Sequence, residues 1–193
     1  MKWMIASDIH GSAHYCRLLL KCFEREGAER LLLLGDLLYH GPRNDLPKDY
    51  DTRETARLLN AYAGRIAAVR GNCDAEVDQM MLDFPILSDS AMLELDGRFV
   101  FASHGHVWSV HNPPKLAGGG IVLGGHTHVP ECRKAGGAVY LNPGSVSIPK
   151  EASPHSYISY TDGVFTWKDI EADSAYMHYP AKNERGEADD GNR

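Results

Sequence analysis

Ser7-Asp8-Ile9-His10-Gly11 ends an apolar run, Trp3-Met4-Ile5-Ala6, and opens a loop ahead of a helix-like stretch. Side chains alternate along an extended chain, so Asp8 and His10, two apart, share one side of the strand end. A carboxylate and an imidazole placed together suit a divalent cation. Alone the triplet is a weak signal, since a loop aspartate and a surface histidine explain it as well. Four further blocks change the reading, each at the end of a strand-like run: Gly35-Asp36, Gly71-Asn72, Ser103-His104-Gly105 and Gly124-Gly125-His126-Thr127-His128.

Outward from that stretch the periodicity alternates between strand and helix. Ala13 to Glu26 places Cys16, Leu19, Leu20 and Phe23 on one face at helical spacing, with Gly27 as a C-terminal stop. Arg30 to Leu34 is a short apolar run of the kind buried on both faces of a parallel sheet. Tyr39 to Asp51 is a Pro-, Gly-, Asn- and Asp-rich loop. Asp51-Thr52 caps a second predicted helix running to Tyr62, and Arg65 to Val69 forms a third strand. A short helix is expected over Ala75 to Leu82, so the first 82 residues read as a βαβαβ unit.

Beyond Pro85 tight turns dominate. Ala91–Leu95 and Arg98–Ser103 flank Asp96-Gly97 as a hairpin. Gly120–Leu123 and Ala138–Leu141 are further strands, and Tyr157–Tyr160 with Phe165–Ile170 makes a last hairpin. Two sheets packed face to face with helices outside follow from this order. Residues 1–181 read as a single domain, and the polar segment 182–193 as a mobile tail.

Composition narrows the function. The chain has 193 residues, 43% hydrophobic and 24% charged, with a net charge of −6 and no basic cluster to track a nucleic-acid backbone. A small substrate is expected, with no long nucleic acid and no membrane: no stretch approaches the about 18 apolar residues of a span. Cys16, Cys22, Cys73 and Cys132 follow no disulfide or CxxC spacing, and the N-terminus lacks a signal-like apolar region, which favours a reducing cytoplasm. Cys16, Cys22 and Cys132 are expected to pack as buried or half-buried small hydrophobes.

The five blocks converge if their strands lie side by side, because loops at one sheet edge share a site. Together they offer two aspartates, one asparagine and four histidines, too many ligands for one ion and enough for two. In two-metal sites, with ions roughly 3.5–4 Å apart, a bridging water is activated and an in-line displacement at phosphorus is clamped. Mixed nitrogen and oxygen ligation without thiolate favours Mn²⁺, Fe²⁺, Ni²⁺ or Zn²⁺ over Mg²⁺ or Ca²⁺.

The ordered set DxH, GD, GN, lone His and GHxH resembles the calcineurin-like metallophosphoesterase superfamily over roughly residues 1 to 150. His40-Gly41-Pro42-Arg43-Asn44, Gly71-Asn72-Cys73-Asp74 and Leu141-Asn142-Pro143-Gly144-Ser145-Val146-Ser147-Ile148-Pro149 are similar to its YfcE-type phosphodiesterase branch. The resemblance implies a four-layer α/β/β/α sandwich with two divalent ions per chain, Mn²⁺ foremost. Asp8, His10, Asp36 and His128 would hold one ion, with Asn72, His104, His126 and the bridging Asp36 on the other. It further implies hydrolysis of a small phosphodiester by a metal-bridging hydroxide, with Asp36, Asn72, Cys73 and His104 as catalytic positions. A homo-oligomer is compatible with it.

Many members carry a histidine where this chain has Cys73, and a thiol, neutral at pH 7 and a weak donor, replaces it poorly. Asp74, which would orient that histidine, is left without a role. Arg43 and Asn44 are candidates for holding a phosphoryl oxygen or leaving-group portion, against a reading as solvated loop residues. A phosphomonoesterase with the same ions is the nearest rival, and Cys73 argues against it, since a monoester with a poor leaving group gains much from a general acid. A non-catalytic scaffold is a further rival, because the retromer complex uses a subunit of this fold. The intact ligand set argues against that reading.

Overall fold

A computed structural model describes residues 1–116 and 120–181; the segment 182–193 lies outside the described residues. The chain opens with β1 (Trp3–Ala6), α1 (Ala13–Arg25), β2 (Arg30–Leu33), α2 (Thr52–Asn60), a 3₁₀ turn at Ala63–Arg65 and β3 (Ile66–Ala68). β1, β2 and β3 pair in parallel, as the alternating periodicity requires. Ser12 accepts the Tyr15 N–H to cap α1, and Asp51 accepts the Glu54 N–H to cap α2. The third helix, α3 (Glu76–Gln79), is a single turn, shorter than the predicted Ala75 to Leu82.

The second half is almost entirely β: β4 (Ser90–Leu95), β5 (Arg98–Ser103), β6 (Gly120–Leu123), β7 (Pro130–Ala135), β8 (Ala138–Pro143), β9 (Ser156–Thr161), β10 (Val164–Asp169) and β11 (Ala175–Pro180). One six-stranded sheet has the order β11-β10-β9-β1-β2-β3; a five-stranded sheet has the order β4-β5-β6-β8-β7. β9 runs antiparallel to β1, so the final hairpin completes the sheet that the N-terminal unit begins. Strands β7 and β11 had no counterpart in the sequence reading.

Alternation assigns each face. Met4, Ala6, Leu31 and Leu33 pack against Leu19, Phe23, Ala56 and Leu59 of the helices. Their neighbours Ile5, Leu32 and Leu34 face Val100, Ala102, Ile121, Leu123 and Leu141 of the second sheet, with Trp167 fully buried between the two. On the outer face of the second sheet, Val122, Ala138 and Tyr140 are covered by Val110 and Leu116 from the segment after β5. Two sheets thus pack face to face, with the helices gathered on the first sheet. Cys16 and Cys22 are buried as expected, whereas Cys132 is exposed, because it lies on edge strand β7 and not in the core. No helix among the described residues is long and apolar enough to cross a membrane.

Candidate metal centre

The five ligand blocks follow β1, β2, β3, β5 and β6, whose C-terminal ends meet at one edge of the sandwich. The loops are tied to one another by backbone bonds. Asp8 N–H donates to Gly35 O (3.1 Å), His10 N–H to Asp36 O (2.9 Å), and Gly125 N–H to His104 O (2.6 Å). Across the sheets, His126 N–H donates to Asp8 Oδ2 at 3.0 Å and the His104 ring binds Leu34 O at 2.7 Å.

Asp8, His10, Asp36, His126 and His128 all adopt left-handed backbone, with φ between 49° and 67°. Such conformations cost about 1–3 kcal/mol each for non-glycine residues and persist only where the surroundings impose them. Two glycines make the loop contacts possible. A Cβ on Gly71 would stand 2.1 Å from Asp36 Oδ1, and one on Gly125 would stand 2.0 Å from Ser7 Oγ.

Three imidazoles are aimed by carbonyls: His10 Nδ1 by Tyr39 O (2.8 Å), His104 Nδ1 by Leu34 O (2.7 Å) and His128 Nδ1 by Ile148 O (2.6 Å). A carbonyl only accepts, so each Nδ1 carries the hydrogen and, in the neutral ring, Nε2 presents a lone pair to the centre. His10 Nε2 and His128 Nε2 then face each other at 3.2 Å, and His104 Nε2 faces Asn72 Oδ1 at 3.1 Å. Two lone pairs this close call for a proton or a cation between them. Asp8 Oδ1 is buried without a hydrogen-bond partner, yet lies 3.2 Å from His128 Nε2 and 3.5 Å from His10 Nε2. Asp36 Oδ2 stands 3.7 Å from His10 Nε2 and 3.4 Å from His104 Nε2, between the two groups. Asp8-His10-His128 and Asp8-Asp36-His104 each converge closely enough to hold an ion, as does His10-Asp36-Cys73. The donor set therefore fits divalent cations.

The electrostatics agree. Burial opposes ionisation of Asp8, but the His104 charge and contacts from His10 and His128 outweigh it and hold the carboxyl well below the usual range. Burial likewise disfavours a charged His104, while Asp8 and Asp36 raise it to about 9. The buried carboxylates and the imidazoles around them hold each other's charge, an arrangement that a divalent cation also satisfies. His126 is half-buried, its ring centroid 5.1 Å from that of His104 and 6.0 Å from that of exposed His106.

The remaining candidates divide. Cys73 N–H donates to Asp36 Oδ1 at 2.8 Å, and its thiol is pushed up to about 12, by burial first and then by the Asp36 charge. Asn44 Nδ2 donates to His40 O at 2.8 Å, while Arg43 is exposed, with no hydrogen bond or ion pair among the described residues. Asp74 does have a role: its carboxylate accepts N–H groups from Asp36, Leu37 and Gly71. The Asn142 to Ser147 segment acts as a support. Asn142 Nδ2 donates to Gly125 O (2.8 Å), and Ser145 Oγ to Asp8 O (2.8 Å).

A family model described as the calcineurin-like phosphoesterase superfamily domain matches residues 1–162. Phosphodiesterase YfcE of Escherichia coli strain K12 is 46% identical over 157 residues, 81% of this chain and 85% of that protein. The solved structure of Yfce, a phosphoesterase from E. coli, superposes with a TM-score of 0.91 at 41% identity, covering 94% of this chain and all of that one. Vps29 of Entamoeba histolytica, solved with Zn²⁺, shares the fold at a TM-score of 0.58 and 16% identity, over 94% of this chain and all of that one. Ligand blocks, sheet order and relatives converge, and the chain belongs to the calcineurin-like phosphoesterase superfamily.

Proposed function

We propose that this chain hydrolyses small phosphodiesters using two divalent ions, one held by Asp8, His10, Asp36 and His128, the other by Asn72, His104, His126 and Asp36. The observation that carries the reading is the placement of Asp36 Oδ2 between His10 and His104, beside a buried and unpartnered Asp8 Oδ1. When bound, the ions supply an activated water and neutralise charge on the phosphoryl oxygens.

The chain's own residues do the positioning. Tyr39, Leu34 and Ile148 carbonyls fix the three rings, so their Nε2 atoms need no reorientation when a substrate arrives. Asp74 fixes the Asp36 loop. Arg43, with its forked donors, and Asn44 are proposed to hold a phosphoryl oxygen or a leaving-group portion. Cys73 Sγ keeps its hydrogen and donates weakly, so departing groups leave with little help from a proton. That favours diesters with good leaving groups over alkyl monoesters, in line with the relative named a phosphodiesterase. Mn²⁺ is the proposed native metal, on the mixed imidazole and carboxylate ligation. The cytoplasm is the proposed compartment, on the four free thiols.

The test is a parallel assay of diester and monoester panels on metal-stripped protein, with Mn²⁺, Ni²⁺, Zn²⁺ and Mg²⁺ returned singly. Diesters are expected to exceed monoesters, with Mn²⁺ best. Asp36→Asn is expected to lose most turnover and at least one equivalent of metal. Full activity in that variant, or one ion per active wild-type chain by elemental analysis, overturns the two-ion reading.

A further inference from the structure

A cavity of about 340 Å³ opens beside Cys73, within the range of sites that take small molecules. It borders the metal centre on two sides. Cys73 reaches Asp36 through its N–H, and Tyr39, on the cavity wall, gives its carbonyl to His10. Of the residues lining this space, the proposed hydrolysis gives a side-chain role to Cys73 alone.

Its walls are apolar and aromatic: Tyr39, Tyr50, Val77 and Met81, with Arg53 and Asp78 among the polar groups. Asp78 is already engaged by the Ala75 N–H at 2.8 Å. Of the two rings Tyr50 is the packed one, while Tyr39 is 42% exposed. Tyr50 lies under Gly11, where a Cβ would come within 2.7 Å of its ring, and stacks edge-on to His40 at 5.2 Å, as Tyr39 does at 4.8 Å. The opposite wall is the single turn of α3 and its C-terminal end, which leave Val77 64% and Met81 44% exposed. Apolar side chains left open there add nothing to the core, yet they line one cavity with Tyr39 and Tyr50, next to the reacting centre. A slot with aromatic and adaptable thioether walls suits a flat apolar group.

Resting on the diester reading, we infer that this cavity receives one ester arm of the substrate, and that the arm is a planar aromatic group such as an aryl or nucleobase ring. Tyr39, Tyr50, Val77 and Met81 then set specificity, while the ligand blocks handle the phosphoryl group. A small alkyl arm would leave the slot wet and gain little from it.

Phenylphosphonate and methylphosphonate share a head group and differ only in the arm, so calorimetric titration of each into the full chain with Mn²⁺ isolates the slot. Phenylphosphonate is expected to bind roughly tenfold tighter, from the apolar area it buries. Val77→Glu and Met81→Gln, both at exposed positions, are each expected to bring that ratio towards one. A wild-type ratio near one overturns the inference, as does a ratio that both variants leave intact. Dispersal of an oligomer by Val77→Glu with the ratio unchanged would assign the surface to an interface between copies instead. Binding is read without turnover, so a protein that prefers the phenyl arm but cleaves no diester refutes the proposed reaction and not the slot.

Discussion

Asp74 Oδ2 receives the backbone N–H of Asp36 at 2.8 Å, and so fixes the residue that stands between the two ligand groups. The same carboxylate takes Leu37 N–H on Oδ1 at 2.8 Å and Gly71 N–H on Oδ2 at 2.7 Å. Burial raises the Asp74 pKa against the pull of those donors, but the geometry is that of an acceptor for three N–H groups. Asp74→Ala would orphan three buried donors, each worth about 1–3 kcal/mol. A stability loss of at least about 3 kcal/mol is expected in urea unfolding, with weaker metal retention. An unchanged midpoint would remove Asp74 from this role.

Gly71 tests the same junction from the other side. A Cβ there would stand 2.1 Å from Asp36 Oδ1 and 2.3 Å from Asp36 N, so Gly71→Ala must displace the ligand. Overpacking of this kind costs about 1–3 kcal/mol. The loss should fall on metal affinity, by about tenfold or more in a chelator competition. Gly64→Ala, where nothing lies within 4 Å of the added atom, is the control. Equal behaviour of the two variants would mean that the loops can shift without affecting the centre.

The five blocks were legible in the sequence because each follows an apolar run, and the parallel unit because its period switches cleanly between strand and helix. The edges were hidden. β7 (Pro130–Ala135) and β11 (Ala175–Pro180) pair on one side only and bury none of their residues fully, so neither carries the apolar alternation that marks a buried strand. Cys132 was misplaced for the same reason. The role of Asp74 was not legible because it binds backbone, which leaves no side-chain partner to read from the chain. The left-handed φ of Asp8, His10, Asp36, His126 and His128 was equally illegible, since those residue types only occasionally adopt it.

Glu26 gives the fold a dependence on pH away from the metal centre. Burial raises its pKa, but Lys168 and Lys2 outweigh that and lower it to about 2. Its carboxylate meets both ammonium groups and accepts the Tyr157 O–H at 3.1 Å, joining the end of α1 to β10 and β9. A carboxyl lowered in the folded state adds stability above its unfolded pKa and loses it as pH falls towards the folded value. Wild type should lose stability between about pH 4.5 and about pH 2, and Glu26→Gln should flatten that part of the profile. Parallel profiles for the two proteins in thermal melts would show that the cluster contributes nothing.

Under the proposed reaction, Cys73 is the position that would discriminate among esters. Its N–H is committed to Asp36, while its thiol converges with His10 and Asp36 at the centre and holds its hydrogen tightly. A group that neither donates well nor ionises leaves the departing oxygen to its own basicity. Rates should therefore fall steeply as the leaving-group pKa rises, fast for activated aryl diesters and slow for alkyl esters. Cys73→His would place an imidazole at the same point, and positioned acid catalysis is typically worth about 10²–10⁴-fold. The gain should be largest for the poorest leaving groups, so the dependence should flatten. The new ring also enters the cavity, and aryl selectivity should fall with it. Cys73→Ser keeps the size without the thiol and should preserve turnover of good diesters. If it abolishes that turnover, and a phosphoryl group can be trapped on sulfur in the wild type, the thiol attacks phosphorus and the diester chemistry must be reassigned to it.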